Sequence, residues 1–235
     1  MELELLALGD NGWGDEMLRA TLVTLMVSLS AMGIGLIISI FGTISKLSKK
    51  IYVRILADIY TTVIRGIPEL LVIYLLFFGG SSAVMGLAKL FGYYGYIELN
   101  AFVIGSFAVG AISGAYSTEV MRGAFLSVPL GQIDAAKSVG MNKFLIFTRI
   151  ITPQVLRYAL PGLGNVWQLT LKDTALIMVT GLVEIMRQAH VASGSTYSPF
   201  TFYVAAAFLY LILTTFSNRI FNRLENWGNR GVRRE

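Results

Sequence analysis

The chain has no cysteine, a single histidine and few charged side chains, and each shortage excludes a class of function. Without cysteine there can be no disulfide, thiolate metal site or cysteine nucleophile. The one histidine, His190, has no second metal ligand at a plausible spacing, so we expect it in a surface loop. A membrane enzyme would need a nucleophile and base or a set of metal ligands. We therefore predict no catalytic residue and no metal site.

Charged residues make up only 14% of the 235 residues, whereas 55% are hydrophobic. An ordinary soluble domain carries about 25% charged residues. Apolar stretches of roughly 17 to 25 residues, long enough to cross hydrocarbon, recur along the chain and leave little over for a soluble domain. The net charge of +5 does not indicate nucleic-acid binding, because Lys and Arg flank the apolar stretches as in membrane topology. We predict one all-α membrane domain over residues 1–235, a polytopic bundle.

About five apolar segments are predicted to cross the bilayer as helices. The second is interrupted at residues 65–69, the fourth is expected to bend near Pro161, and residues 79–98 are predicted to form a loop. With five spans the basic regions all fall on one side, which places the N-terminus outside and the C-terminus in the cytoplasm. The predicted spans are residues 18–41, 55–78, 99–121, 158–186 and 200–221.

A short polar helix is predicted over residues 131–141, in a stretch too charged to be a span. It has about two turns and ends at Gly140, the residue type that helices favour just past their end. The small side chains of Ala135 and Ala136 would let another protein approach closely. The alternative is an amphipathic helix that lies on the membrane surface with no protein partner.

The residues of this helix resemble a loop of the permease subunits of ATP-binding-cassette importers. That loop reads Glu-Ala-Ala, three residues, Gly, nine residues, Ile, one residue, Leu-Pro, and the spacing here matches at every step. Asp134 replaces the Glu, and Thr152 replaces the Leu. In that family the loop is the coupling helix, which docks into a cleft on the ATPase subunit. The resemblance implies this role for the residues Asp134, Ala135, Ala136 and Gly140.

Further segments resemble the polar amino-acid permeases, in particular the histidine/lysine/arginine/ornithine and the octopine/nopaline permeases. The similarity extends from Leu18 to Asn218. It implies the MetI-like fold of type I importers, a multi-pass location in the inner membrane of a bacterium, and import of a polar, basic amino acid or opine. The segments that carry it lie within residues 65–70, 114–129, 157–162 and 165–172.

The same resemblance implies several partners in addition to membrane lipid. These are a homologous second permease chain or a second copy, two ATPase subunits that bind ATP and Mg, and an external solute-binding protein. This chain binds no cofactor itself, because the phosphate-binding pattern Gly-x-x-x-x-Gly-Lys-Ser/Thr is absent. An ion-coupled secondary amino-acid transporter is the alternative; it would need no coupling loop and would usually show internal symmetry.

Ionisable residues inside spans are costly and are therefore candidates for the solute path. Two interpretations remain open: they pair with one another, such as Arg65 with Glu69 or Asp173, or they line a polar cavity and contact the solute. Arg122 is an alternative partner for Glu119, and Asp58 is expected to pair with Arg54. The candidates are Arg65, Glu69, Tyr116, Glu119, Lys172 and Asp173, of which Asp173 is the preferred contact.

Overall fold

The computed structural model describes residues 3–9, 12–95 and 100–229, and the regular secondary structure in these ranges is helical. Short 3₁₀ turns occupy Leu3–Leu6 and Thr174–Thr180, and π-helical turns occupy Leu75–Gly79 and Phe147–Ile151. The helices are α1 Gly14–Lys46, α2 Ile51–Gly66, α3 Glu69–Leu90, α4 Ala101–Leu126, α5 Leu130–Ser138, α6 Lys143–Ile146, α7 Thr152–Asp173, α8 Ile185–Thr196 and α9 Pro199–Gly228.

Four helices of the described ranges, α1, α3, α4 and α9, are long and apolar enough to cross a membrane. The predicted segment 158–186 differs, because it is not one continuous helix. Helix α7 ends at Asp173, the chain continues as a 3₁₀ turn to Thr180, and Gly181 then adopts a left-handed backbone with φ 85°. Only glycine takes up that conformation without steric cost, and the helical turns that follow α7 end at this residue.

The predicted second segment, 55–78, is divided between two helices. Ile67 is extended because it precedes Pro68, so α2 ends at Gly66 and α3 begins at Glu69, as the interruption in the sequence predicts. The loop predicted over 79–98 is wrong for Gly80–Leu90, which is helical. Its serines suggested a turn, but their hydroxyls bond back to carbonyls one turn earlier and the helix continues. The start of the third predicted span, Leu99, lies outside the described residues.

Helices α1 and α4 form the centre of the bundle and approach closely through small residues. A Cβ atom added to Gly35 of α1 would lie 2.5 Å from the Ser113 Oγ of α4, and one on Gly114 would lie 2.8 Å from Ile38 Cγ2. Two hydrophobic clusters on this pair include residues of α3 and α7. A third cluster joins the start of α1 to α8 and α9. The result is a densely packed α1–α4 pair against which the other helices lie.

Candidate solute and coupling sites

Four of the six predicted solute-path residues meet where α2, α3, α4 and α7 come together, and we call them the solute cluster. The Tyr116 hydroxyl donates to Glu69 Oε1 at 3.2 Å, and Arg65 Cζ lies 5.3 Å from the centre of the Tyr116 ring. The negative charge of Glu69 acts on Asp173 at the end of α7. Residues on either side of the break between α2 and α3 therefore contact one tyrosine, Arg65 at the ring and Glu69 at the hydroxyl.

The solute cluster contains one cation and two carboxylates. No ion pair in the described ranges joins Arg65 to Glu69 or to Asp173, so neither of the pairings considered from the sequence is present. Arg65 is exposed and stacks on Tyr116 instead, while Glu69 and Asp173 are partly buried. The carboxylates thus exceed the cations by one in this cluster.

Lys172 is adjacent to Asp173 in the sequence but points in another direction. Consecutive residues of an α-helix diverge by about 100°. Lys172 is exposed, and its ammonium forms no ion pair within the described part of the chain, although its charge acts on Asp173. The structure therefore leaves Lys172 outside the direct contacts of the solute cluster.

Glu119, the sixth candidate, belongs to a separate group that we call the Lys46 cluster. Its Oε2 accepts a hydrogen bond from Arg122 Nε at 3.1 Å, as considered from the sequence, and its Oε1 accepts one from Lys46. Lys46 Nζ also lies 2.9 Å from Asp58 Oδ1. The expected pair of Asp58 with Arg54 is wrong, because the Asp58 carboxylate pairs with Lys46 at the end of α1 instead.

The predicted coupling helix is α5, which ends in a glycine cap. Gly140 has φ 78°, and its N–H donates to the Lys137 carbonyl at 3.0 Å. The Met141 N–H donates to the Ala136 carbonyl at 3.1 Å. These two bonds are those of a Schellman motif, which requires a left-handed residue at this position. The predicted role of Gly140 in ending the helix is confirmed.

The surface of α5 combines one ion pair with apolar side chains. Lys137 Nζ lies 2.9 Å from Asp134 Oδ1, and both side chains are exposed. Ala135 faces outward, whereas Ala136 is buried against its own chain. The most exposed large apolar residues at and next to the helix are Leu130 at 75%, Val139 at 77% and Phe144 at 72%. This surface could receive another protein.

Two ionic groups with clear structural roles were missed from the sequence, Lys46 and Glu184. Glu184 is fully buried and caps α8, because its carboxylate accepts hydrogen bonds from the N–H groups of Met186 at 2.8 Å and Arg187 at 2.7 Å. The Tyr210 hydroxyl also donates to it at 3.2 Å. The available signal was an acidic residue just before a helical pattern. No sequence pattern near Lys46 indicated its role, since its partners Asp58 and Glu119 are distant in the sequence.

Within the described ranges, no group of three or more His, Asp or Glu residues is arranged to hold a metal ion. His190 is exposed as expected, but it lies within helix α8 and not in the expected loop; its Nδ1 lies 3.3 Å from the Tyr203 hydroxyl. This contact is an ordinary surface hydrogen bond.

Membrane-length helices around a partly buried polar cluster, with a short exposed helix between two of the packed helices, are typical of a polytopic membrane transport subunit. Residues 31–227 match the family described as binding-protein-dependent transport system inner membrane component, and the chain belongs to that family.

Several relatives are similar along nearly their whole length. The nopaline transport system permease protein NocQ of Agrobacterium fabrum is 53% identical, covering 99% of each chain. The octopine transport system permease protein OccQ of Rhizobium meliloti is 51% identical, covering 99% of this chain and 98% of its own. The histidine/lysine/arginine/ornithine transport system permease protein HisQ of Escherichia coli is 39% identical, covering 95% and 97%.

Solved structures show the same fold. One described as an amino acid ABC transporter with histidines is 28% identical with a TM-score of 0.77, covering 91% of this chain and 94% of that chain. The MetNI methionine ABC transporter is 15% identical with a TM-score of 0.69, covering 93% and 98%, and supports the fold alone.

These similarities confirm the resemblance found in the sequence. The chain is a permease subunit of an ATP-binding-cassette importer, not an enzyme, and it is a multi-pass protein of the inner membrane. ATP hydrolysis belongs to a separate subunit. The importer interpretation therefore holds over the ion-coupled alternative.

Proposed function

We propose that this permease moves a polar, basic amino acid or opine into the cytoplasm through the solute cluster. The observation that carries this proposal is Asp173, a partly buried carboxylate for which the described residues supply neither an ion pair nor a hydrogen bond. A charge inside a membrane helix costs roughly 2.5 to 3.5 kcal/mol on insertion scales, so an unpaired one is a functional candidate. A cationic solute would neutralise it.

The solute cluster offers complementary groups for both ends of such a solute. Its guanidinium or ammonium group would bind between the carboxylates of Glu69 and Asp173. Its α-carboxylate would bind the guanidinium of Arg65, which is exposed and held against Tyr116. The names of the relatives, which specify nopaline, octopine and basic amino acids, support this choice of solute class. In this proposal Lys172 and Glu119 do not contact the solute.

Helix α5 would couple ATP hydrolysis on the ATPase subunit to transport through this chain. In this proposal Asp134 and Ala135 contact a cleft on an ATPase subunit, while Ala136 holds the helix against its own chain and Gly140 ends it at the docking face. ATP and Mg would bind on two such subunits. A second permease, either homologous or another copy, and an external solute-binding protein would complete the importer.

We also infer the topology from the charge distribution. Five crossings, with α7 and its following turn as the fourth in sequence, place the basic segments after α1, around α5 and at the end of α9 on one side. The C-terminus would then be cytoplasmic and the N-terminus external. The last residues of the basic tail, 230–235, lie outside the described ranges.

Uptake into proteoliposomes tests the solute class. The permease is reconstituted with its ATPase, second permease and binding protein, and ATP-dependent uptake is measured for arginine, octopine, nopaline, glutamine and glutamate. We expect uptake of at least one cationic solute or opine to exceed uptake of glutamine and glutamate. Preference for glutamate would refute the assignment of the two carboxylates to solute binding.

A further inference from the structure

Helix α2 is held on the bundle by few buried side chains. Of its sixteen residues only Ala57 and Thr61 are buried. Ile64 is partly buried against the hydrophobic cluster of α1, α3 and α4. Two further links are polar: the Tyr60 hydroxyl donates to the Ala111 carbonyl of α4 at 2.5 Å, and Asp58 pairs with Lys46. Because few of its side chains are buried, these polar contacts contribute to where α2 lies on α4.

The facing sides of α2 and α4 carry two polar layers. Asp58 and Arg65 are seven residues apart on α2, which places them on one face about two turns apart. Tyr116 and Glu119 are three residues apart on α4 and share a face in the same way. The contact of Arg65 with Tyr116 belongs to the solute cluster, and the contact of Asp58 with Glu119 through Lys46 forms the neighbouring layer.

Lys46 joins three helices at this second layer. Its side chain is only 7% exposed, although it is the last residue of α1, and it contacts Glu119 of α4 and Asp58 of α2. With Arg122 the cluster has two cations and two carboxylates and is balanced in charge. A buried cation needs such partners, so its position is tightly defined. Asp58 is therefore anchored to a fixed charge on the α1–α4 pair.

We propose that Lys46 and Asp58 are positioning residues for solute recognition: they hold α2 on α4 and thereby set the position of Arg65 in the solute cluster. This inference rests on the proposed function of that cluster. Lys46 is bound to Glu119 whether or not α2 is attached, so within the Lys46 cluster Asp58 is the group that α2 contributes. Neither residue touches the solute.

Asp58→Asn tests the link, because it removes the charge on α2 and leaves Lys46 paired with Glu119. The matched control is Arg54→Gln, one turn away on α2, whose exposed side chain has no ion pair within the described ranges. Asp58→Glu keeps the charge and serves as the rescue variant. Tyr60→Phe removes the other polar contact of α2 and replaces Asp58→Asn if that variant does not assemble.

Two measurements are made on the assembled complex: hydrogen exchange of residues 51–66, and binding of labelled arginine without binding protein. We expect Asp58→Asn to speed exchange in α2 and to raise the dissociation constant about two- to fivefold, the effect of losing a partly exposed ion pair. Basal ATP hydrolysis and exchange in α1 should not change. Arg54→Gln and Asp58→Glu should resemble the wild type.

The proposal is overturned if Asp58→Asn behaves as Arg54→Gln does in both measurements. It is also overturned if exchange in α2 rises while arginine binding stays unchanged, because Asp58 would then serve stability alone. If instead the proposed function is wrong, the wild-type complex would not prefer cationic solutes. Hydrogen exchange of α2 would still report whether Asp58 attaches α2 to the bundle.

Discussion

The end of helix α5 is decided by one residue, Gly140. Its φ of 78° lies in the left-handed region, and apart from Gly140 and its two chain neighbours no heavy atom of the described residues lies within 4 Å of the position a Cβ would take. A side chain there is therefore strained by the backbone and not by a collision within this chain, at a cost of roughly 1 to 2 kcal/mol. It would also project from the surface proposed to meet the ATPase.

We predict that Gly140→Asp leaves membrane insertion intact and abolishes substrate-stimulated ATP hydrolysis, because its carboxylate would be desolvated at the docking face. Hydrolysis is measured in the reconstituted complex with loaded binding protein. Gly140→Asn is the control: it has nearly the same shape, no charge and a better tolerance of the left-handed backbone. It should keep more stimulation than Gly140→Asp. Normal stimulation in Gly140→Asp would refute the coupling role of α5.

Contacts between residues close together in the sequence were predictable, and contacts between residues far apart in the sequence were not. The pair of Glu119 with Arg122 follows from helical spacing, and so does the cap at Gly140. The contacts of Glu119 and Asp58 with Lys46 depend on how α1, α2 and α4 pack, which local spacing does not encode. Arg54 was the nearest cation to Asp58 in sequence, and that proximity was misleading.

Among the elements, α1 and α4 depend on small residues at their contact. Gly35 and Gly33 lie on the same helix, but only Gly35 faces α4: an added Cβ would lie 2.5 Å from Ser113 Oγ and 3.0 Å from the Gly114 backbone nitrogen. Apart from the neighbouring backbone of α1, no heavy atom of the described residues lies within 4 Å of a Cβ on Gly33. These two glycines therefore separate the effect of packing from that of helix propensity.

We predict that Gly35→Ala destabilises the permease by about 1 to 3 kcal/mol, the usual cost of overpacking. Gly33→Ala should be neutral or slightly stabilising, because Gly is disfavoured within a helix by roughly 0.5 to 1 kcal/mol relative to Ala. Both variants are compared by thermal melting in detergent, followed as the loss of monodisperse protein. Equal melting temperatures would mean that α1 and α4 are not as closely packed as described.

The existence of most helices could be predicted from apolar runs, but several of their limits could not. The run before Gly79 suggested a span that ended there, because glycine and serine are typical of turns; the structure continues α3 to Leu90. Conversely, apolar residues after Asp173 suggested more helix, whereas a 3₁₀ turn follows. Composition reports burial in lipid or protein, but it does not distinguish a helix from a tight turn.

For the whole molecule, the orientation in the membrane follows from the basic segments and remains a prediction. A reporter fused after Arg234 should be cytoplasmic, and one inserted after Tyr94, beyond the end of α3, should be external. Paired reporters active on opposite sides of the membrane provide the measurement at each site. An external C-terminus would exclude the five-crossing arrangement.

The central claim is that a cationic solute passes the carboxylate of Asp173, and Asp173→Asn tests it most directly. Thermal stability and ATP-dependent uptake of arginine and of a neutral amino acid are measured for the reconstituted importer, with Glu225→Gln, a carboxylate outside both charged clusters, as control. We predict unchanged melting and a selective loss of arginine uptake of about ten- to a hundredfold, the worth of a hydrogen bond to a charged group. A lowered melting temperature with equal loss of both solutes would contradict the account and make Asp173 a structural residue.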